Sequence, residues 1–129
     1  MNKLLLINIS RVMLALYFLV SGVSKILTWE EHIAIMETHN VYMSVILLGL
    51  VMITQIIGGI YLLLKKHVVV VALTFAMIVF LININIHDFW NIYEGIDQTH
   101  ERQNFIKNIG VLVAFMLLAA TSMEEIEKT

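Results

Sequence analysis

The chain has 129 residues, 60% of them hydrophobic and 14% charged, with a formal net charge of −2. Soluble domains are about 45–50% apolar and about 25% charged, and the mean hydropathy here is +0.88, so the composition excludes an ordinary soluble domain. The near-neutral balance argues against a nucleic-acid partner, and the absence of cysteine excludes disulfide exchange, thiolate catalysis, iron–sulfur ligation and any CxxC relay within this chain.

The length allows one domain, residues 1–129. Residues 1–3 carry Lys3 and lead into a first apolar run, 4–27. A helix needs about 20 apolar residues to cross a hydrocarbon core about 30 Å thick. The run is too long for a secretory leader, and no small-x-small cleavage site follows at 24–29, so it is read as a retained span. The connection 29–41 holds Glu30, Glu31, His32, Glu37 and His39. Its apolar residues Trp29, Ile33 and Met36 recur with helical spacing, which predicts a short interfacial helix. A second run, 42–64, and a third, 68–86, are joined by Lys65-Lys66-His67, a link so short that the two must be antiparallel neighbours. The polar stretch 87–104 contains Asp88, Glu94, Asp97, His100 and Glu101, the fourth run is 105–120, and the acidic tail 122–129 is expected to fray.

Short of a closed barrel, only helices satisfy their own backbone in lipid. The fold expected is therefore all-α, an integral membrane four-helix bundle with up-down-up-down topology. No proline kinks any helix, and Gly49, Gly58 and Gly59 allow close approach in the second span. Lys3, Lys65, Lys66 and Lys128, with Arg11 deeper, fall on one side, against Lys25, Arg102 and Lys107 on the other. That bias places both termini in the cytoplasm.

Polar residues inside the spans are the candidate functional groups. Arg11 lies about 10 Å into the first span. Phe18 and Lys25 follow at heptad spacing, a stripe expected to face the bundle. Gln55 is placed at a depth similar to Arg11, where it could accept a hydrogen bond from the guanidinium; the alternative is an Arg11 that snorkels to headgroups. Asn83 and His87 share one face of the third span. With Lys25, Lys107 and Asn108 they would form a cluster beneath the outer interface. The alternative is ordinary interfacial anchoring, with Trp90 and Tyr93 in an aromatic belt.

His32, His39, His87 and His100 fall among carboxylates on the outer side, but their spacings match no zinc signature and no metal site is assigned. Only His87 is near enough to the bundle to ligate haem, so bis-histidine haem within one chain is not expected. The scattered methionines are read as packing. No Ser–His–Asp arrangement, phosphate loop or dinucleotide fingerprint is present.

The segment Ile86-His87-Asp88-Phe89-Trp90, followed by Asn104-Phe105-Ile106-Lys107-Asn108-Ile109-Gly110-Val111-Leu112, resembles the DoxX family of small bacterial membrane proteins. That family's third span typically ends in His-x-Phe-Trp and its fourth begins Phe-Leu-Lys-Asn-Leu. Arg11, Phe18 and Gly22-x-x-Lys25 match its first-span pattern, and Gln55-Ile-Ile-Gly58-Gly59 its second-span Glu-x-x-Gly-Gly block, over about residues 8 to 120. The chain departs from the pattern in three places. Gln55 replaces the usual Glu, so an intramembrane Arg–Glu ion pair would here be a hydrogen bond. Met43–Ser44 lacks the common proline, and Val111 stands for a second glycine.

The resemblance implies a four-helix bundle in a bacterial inner membrane. Some members are similar to a subunit of thiosulfate:quinone oxidoreductase, and others associate with sulfur or oxidative-stress enzymes. The first reading is therefore a quinone-linked or redox-associated subunit with no intrinsic cofactor. The quinone carbonyls would accept from His87, Lys107 or Asn108, and the ring would pack on Trp90 or Phe89. Arg11 and Gln55 would order the bundle, and electrons would come from a partner or a soluble donor. The alternative is a non-catalytic scaffold anchoring an extracytoplasmic enzyme or a metal-handling partner. A transporter ranks last, because one four-span unit has no inverted repeat and would need a homodimer.

Overall fold

The computed structural model describes residues 2–128 and contains five helices and no strand among them. They are α1 (Lys3–Leu27), α2 (Trp29–Thr38), α3 (Ser44–Leu63), α4 (Val68–Asn85) and α5 (Gln98–Glu127). Four of these, all but α2, are long and apolar enough to cross a membrane. Their lengths run from about 27 Å for α4 to about 45 Å for α5 at 1.5 Å per residue.

Each long helix packs on its chain neighbour, and α5 closes the ring against α1. The tightest pairs are α1 with α3 and α4 with α5. Both termini lie at one end, where Lys3 pairs with Glu124 at 3.2 Å and Lys65 with Glu125 at 3.6 Å. The α2 helix and the α4–α5 connection form the other end, the loop end.

The distribution of polarity is inverted relative to a soluble protein. Met13, Val20, Val45, Leu50, Val70, Met77 and Leu117 point outward, while Arg11, Lys25, Gln55 and Asn83 are buried. That is the pattern a hydrocarbon solvent imposes. The expected stripe Arg11, Phe18 and Lys25 is the buried face of α1, together with Ala15 and Gly22.

The core centres on Phe18, Phe75 and Phe115. Phe18 stacks on Phe75 with centroids 4.2 Å apart and meets Phe115 edge-on at 4.9 Å; Phe75 and Phe115 are also edge-on, at 5.3 Å. All three rings are buried, with Ala15, Leu62, Ala72 and Ala119 packed in the same cluster.

Glycines let α3 reach both neighbours. A Cβ on Gly58 would sit 2.6 Å from Phe75, and one on Gly59 would sit 2.5 Å from Leu19 and 3.2 Å from the Ala15 carbonyl. Gly49 is different: its nearest atom would be Trp29 at 3.8 Å, an ordinary contact, so close approach does not depend on it.

Two boundaries differ from the sequence expectation. The fourth apolar run, 105–120, lies within a longer helix, α5, which begins seven residues earlier because the Asp97 side chain caps it, accepting from Thr99 N at 2.9 Å and His100 N at 3.4 Å. The acidic tail is helical to Glu127 instead of frayed. Its carboxylates meet Lys3, Lys65 and Lys128 at the terminal end.

Replacing Gly59 by Val should cost about 1–3 kcal/mol, the range for overpacking a close interface. The Ala15 carbonyl is backbone and cannot rotate away. A lowered midpoint of thermal unfolding in detergent is the expected result, and an unchanged midpoint would contradict the α1–α3 approach described.

Candidate functional site at the loop end

Arg11 is not in the loop-end site, and it does not bond Gln55. Its Nη1 donates to the Leu62 carbonyl and, at 3.1 Å, to the Leu63 carbonyl; Nη2 reaches Asn8 Oδ1 at 3.4 Å. The reason is the antiparallel run of α3. Its C-terminal carbonyls, which lack an amide partner four residues on and carry the negative end of the helix dipole, lie beside Arg11. Gln55 is about two turns away, against Gly22. Snorkelling does not describe Arg11 either, since the residue is only 8% exposed.

Above the phenylalanine cluster the bundle opens into a cavity of about 440 Å³. That lies within the usual range for a small-molecule site. Tyr17 and Phe18 supply aromatic surface, and Leu48, Val51, Val79, Ile82 and Ile86 supply aliphatic walls. The polar lining is Ser21 and Lys25 of α1, His32 of α2, Gln55 of α3, His87 just past α4, and His100, Glu101, Asn104 and Asn108 of α5.

Lys25 donates to Ser21 Oγ at 2.9 Å and to the Ser21 carbonyl at 3.3 Å. An ammonium has three hydrogens, so one donor remains, and no carboxylate among the described residues pairs with it. Gln55 is 2% exposed, and its Oε1 is buried with no hydrogen-bond partner. His87 Nδ1 lies 2.6 Å from Glu101 Oε2. An ionised carboxylate only accepts, so Nδ1 carries a proton, and in the neutral imidazole the free lone pair is on Nε2. His32 Nδ1 is held by the Thr28 carbonyl at 2.8 Å.

Of the cluster expected from spacing, the structure brings together Lys25, His87 and Asn108, and adds Gln55. It leaves out Asn83 and Lys107, and also Trp90, expected to pack on a quinone ring. Asn83 is buried but does not line the cavity: its Nδ2 donates to the Phe105 carbonyl at 3.0 Å and ties α4 to α5. Lys107 is exposed, because Asn104 and Asn108 occupy the inward face of α5 and Lys107 falls on the next face round. Trp90 is 54% exposed and packs edge-on against Phe89 and Phe105 at 5.4 and 5.7 Å. Neither Trp90 nor Phe89 lines the cavity, whose aromatic surface comes from Tyr17 and Phe18. The lining residues that spacing did not place in the cluster include Tyr17, His32, His100, Glu101 and Asn104. Glu101, Asn104 and Asn108 share one helical face, a pattern legible only once Asp97 is recognised as the cap of α5.

A second polar group lies beside the cavity. His39, which caps the C-terminus of α2, meets Asp88 at 2.9 Å, with both side chains almost fully buried. The other Asp88 oxygen accepts from Tyr93 OH at 2.6 Å and Asn91 Nδ2 at 2.8 Å. Burial opposes ionisation of Asp88. The hydrogen bonds from Tyr93, Asn91 and His39, with the His39 charge, outweigh it and hold the carboxyl below the usual range. The same hydrogen bond to Asp88, helped by burial, raises the Tyr93 hydroxyl. Since α2 contributes His32, Ile35 and Met36 to the cavity wall, this latch fixes one side of the site.

Asp88→Ala should therefore cost about 3 kcal/mol, as removal of one member of a buried pair does, and should accelerate amide hydrogen exchange across α2. A carboxyl whose folded-state value is depressed stabilises fully above its unfolded value, near pH 4. That contribution is lost as the pH falls further. Wild-type protein should show this acid loss and Asp88→Ala should lack it; equal exchange in α2 of both proteins would contradict the latch.

No curated protein and no solved structure matched the chain. The family model for DoxX matches residues 6–88, which include most of α1, all of α2 to α4 and the His39–Asp88 pair, but stop short of Asn91, Tyr93 and α5. That match covers more than half of a chain with four membrane-spanning helices, and the protein is a multi-pass membrane protein of the DoxX family.

Proposed function

We propose that this protein is a quinone-linked subunit of a bacterial inner membrane, and that the loop-end cavity is where the quinone headgroup binds. The observation that carries the reading is the cavity itself. Its aromatic and aliphatic walls enclose a small set of polar groups, and among them an ammonium and a buried amide have hydrogen-bonding capacity that the chain does not use. A quinone offers a flat apolar ring with an oxygen at each end. Lys25 can donate to one carbonyl oxygen, and Asn104 or Asn108 to the other. Phe18 and Tyr17 offer faces to the ring, and Leu48, Val51 and Ile82 offer surface to an isoprenoid chain.

With no cysteine, the chain has no thiol, disulfide or iron–sulfur route for electrons. Its part in the reading is to bind, orient and move protons, while a soluble or membrane-bound reductase exchanges electrons with the ring. A second reading, a scaffold for an extracytoplasmic enzyme, draws on the exposed Tyr42, Trp90 and Ile92 at the loop end.

Titration of the purified protein with a short-chain quinone separates the two. Saturable binding is expected, weakened about tenfold by Lys25→Met, as loss of a charged hydrogen bond predicts. Lys107→Ala and Trp90→Ala should leave it unchanged. Absence of binding, or equal loss in all three variants, would move the weight to the scaffold.

A further inference from the structure

We infer that the cavity takes its ligand in the hydroxylated form, as a hydroquinone or a related phenol, and that His87 withdraws the hydroxyl proton with Glu101 positioning it. This rests on the quinone reading of the same cavity and adds the redox form of the ligand and the fate of its proton.

Two independent observations point to a donor-bearing ligand. The first is Gln55 Oε1, an acceptor buried in the cavity wall with no partner. A buried acceptor without a donor is unfavourable, and a ligand hydroxyl supplies the donor where a quinone carbonyl cannot. The second is the pairing of His87 Nδ1 with Glu101 Oε2 at 2.6 Å. In the neutral imidazole it selects the tautomer with its free lone pair on Nε2, as in nucleophile-activating dyads where a carboxylate orients the imidazole.

The step balances without any electron transfer. The phenolic O–H bond breaks, an N–H bond forms at His87 Nε2, and the electron pair stays on oxygen as a phenolate. The imidazolium that results is stabilised by Glu101, and the phenolate by the Lys25 ammonium. Lys25, His32, His87, His100 and Glu101, with the Tyr17 hydroxyl, are the titratable groups lining the cavity. Glu101 is the only carboxylate among them, and His87 occupies it. Once His87 holds the proton, the imidazolium, the Glu101 carboxylate and the Lys25 ammonium leave a positive balance around the ligand, which favours an oxyanion. A phenolate is also the form that gives up an electron most readily to an oxidising partner.

A chromogenic phenol that is not oxidised, an alkyl-substituted 4-nitrophenol, tests this on the purified full chain in detergent. Visible absorbance reports its phenolate directly. We expect the bound phenol to ionise at least about one pH unit lower than in empty micelles, the shift expected from one nearby opposite charge. His87→Gln should abolish most of that shift while binding changes less than about threefold, and Glu101→Gln, which keeps the imidazole, should reduce it. If His87→Gln does not fold, Glu101→Gln alone still decides the matter. A bound phenol with an unchanged or raised ionisation midpoint overturns the inference, as does a shift kept in both variants. A quinone that binds where the phenol does not overturns this inference alone, whereas failure of both to bind overturns the quinone reading with it.

Discussion

The stacked and edge-on rings of Phe18, Phe75 and Phe115 set the plan of this molecule. They join three of the four spans at one level, and with Leu62, Ala15, Ala72 and Ala119 they form an apolar plug. A hydrocarbon solvent allows polar side chains only where they find partners inside. The plug therefore divides the interior into two polar zones with different solutions. Toward the termini, Arg11 Nη1 donates to the last carbonyls of α3, while Nε is buried with no partner. Toward the loops, Lys25, Gln55 and the asparagines of α5 keep unused hydrogen-bonding capacity, and the zone is open.

The open zone exists because two elements continue past the apolar layer. Residues 98–104 are too polar to span, yet they are helical because Asp97 caps them and because Gln, Glu and Arg are good helix formers. That extension carries Glu101 and Asn104 over the cavity. On the opposite side α2 turns back from α1 and places His32, Ile35 and Met36 there. It is a short helix whose inward face is Trp29, Ile33 and Met36, so apolar packing alone holds it weakly. The His39–Asp88 contact, backed by Tyr93 and Asn91, fixes its far end to the α4–α5 connection. A buried polar network of this kind contributes specificity of placement more than raw stability.

The four spans, the short α3–α4 turn, the interfacial helix and the inward stripe of α1 were legible in the sequence, since each depends on hydrophobic length or on helical period. Depth was less legible. Counting from the terminal ends put Arg11 and Gln55 level, but the register of α1 against α3 is set by the contacts of Gly22 with Gln55 and Gly59 with Ala15 and Leu19. Those contacts bring the C-terminus of α3, not Gln55, beside Arg11. The site was half legible. Lys25, His87 and Asn108 lie on faces that spacing identifies. Lys107 and Trp90 were drawn in by proximity in sequence, and the rotation of α5 and the packing of Trp90 on Phe105 turn them out. The partners Glu101 for His87 and Asp88 for His39 join segments 14 and 49 residues apart, and no periodicity connects positions across an irregular loop.

Gln55 is where this chain's own chemistry shows most clearly. A carboxylate at that position would place a counter-ion in the same cavity as Lys25, and the two would satisfy each other before any ligand arrived. The neutral amide leaves Lys25 bonded only to Ser21, a hydroxyl and a carbonyl that draw on its hydrogens without cancelling its charge. Glu101, the one carboxylate in the lining, is bonded to His87. The cavity is thus apolar in area, with an ammonium that no carboxylate pairs with and a buried acceptor among its polar groups. It discriminates among flat apolar ligands by the oxygen they carry, favouring one that brings a hydroxyl to the amide and tolerates negative charge near the ammonium.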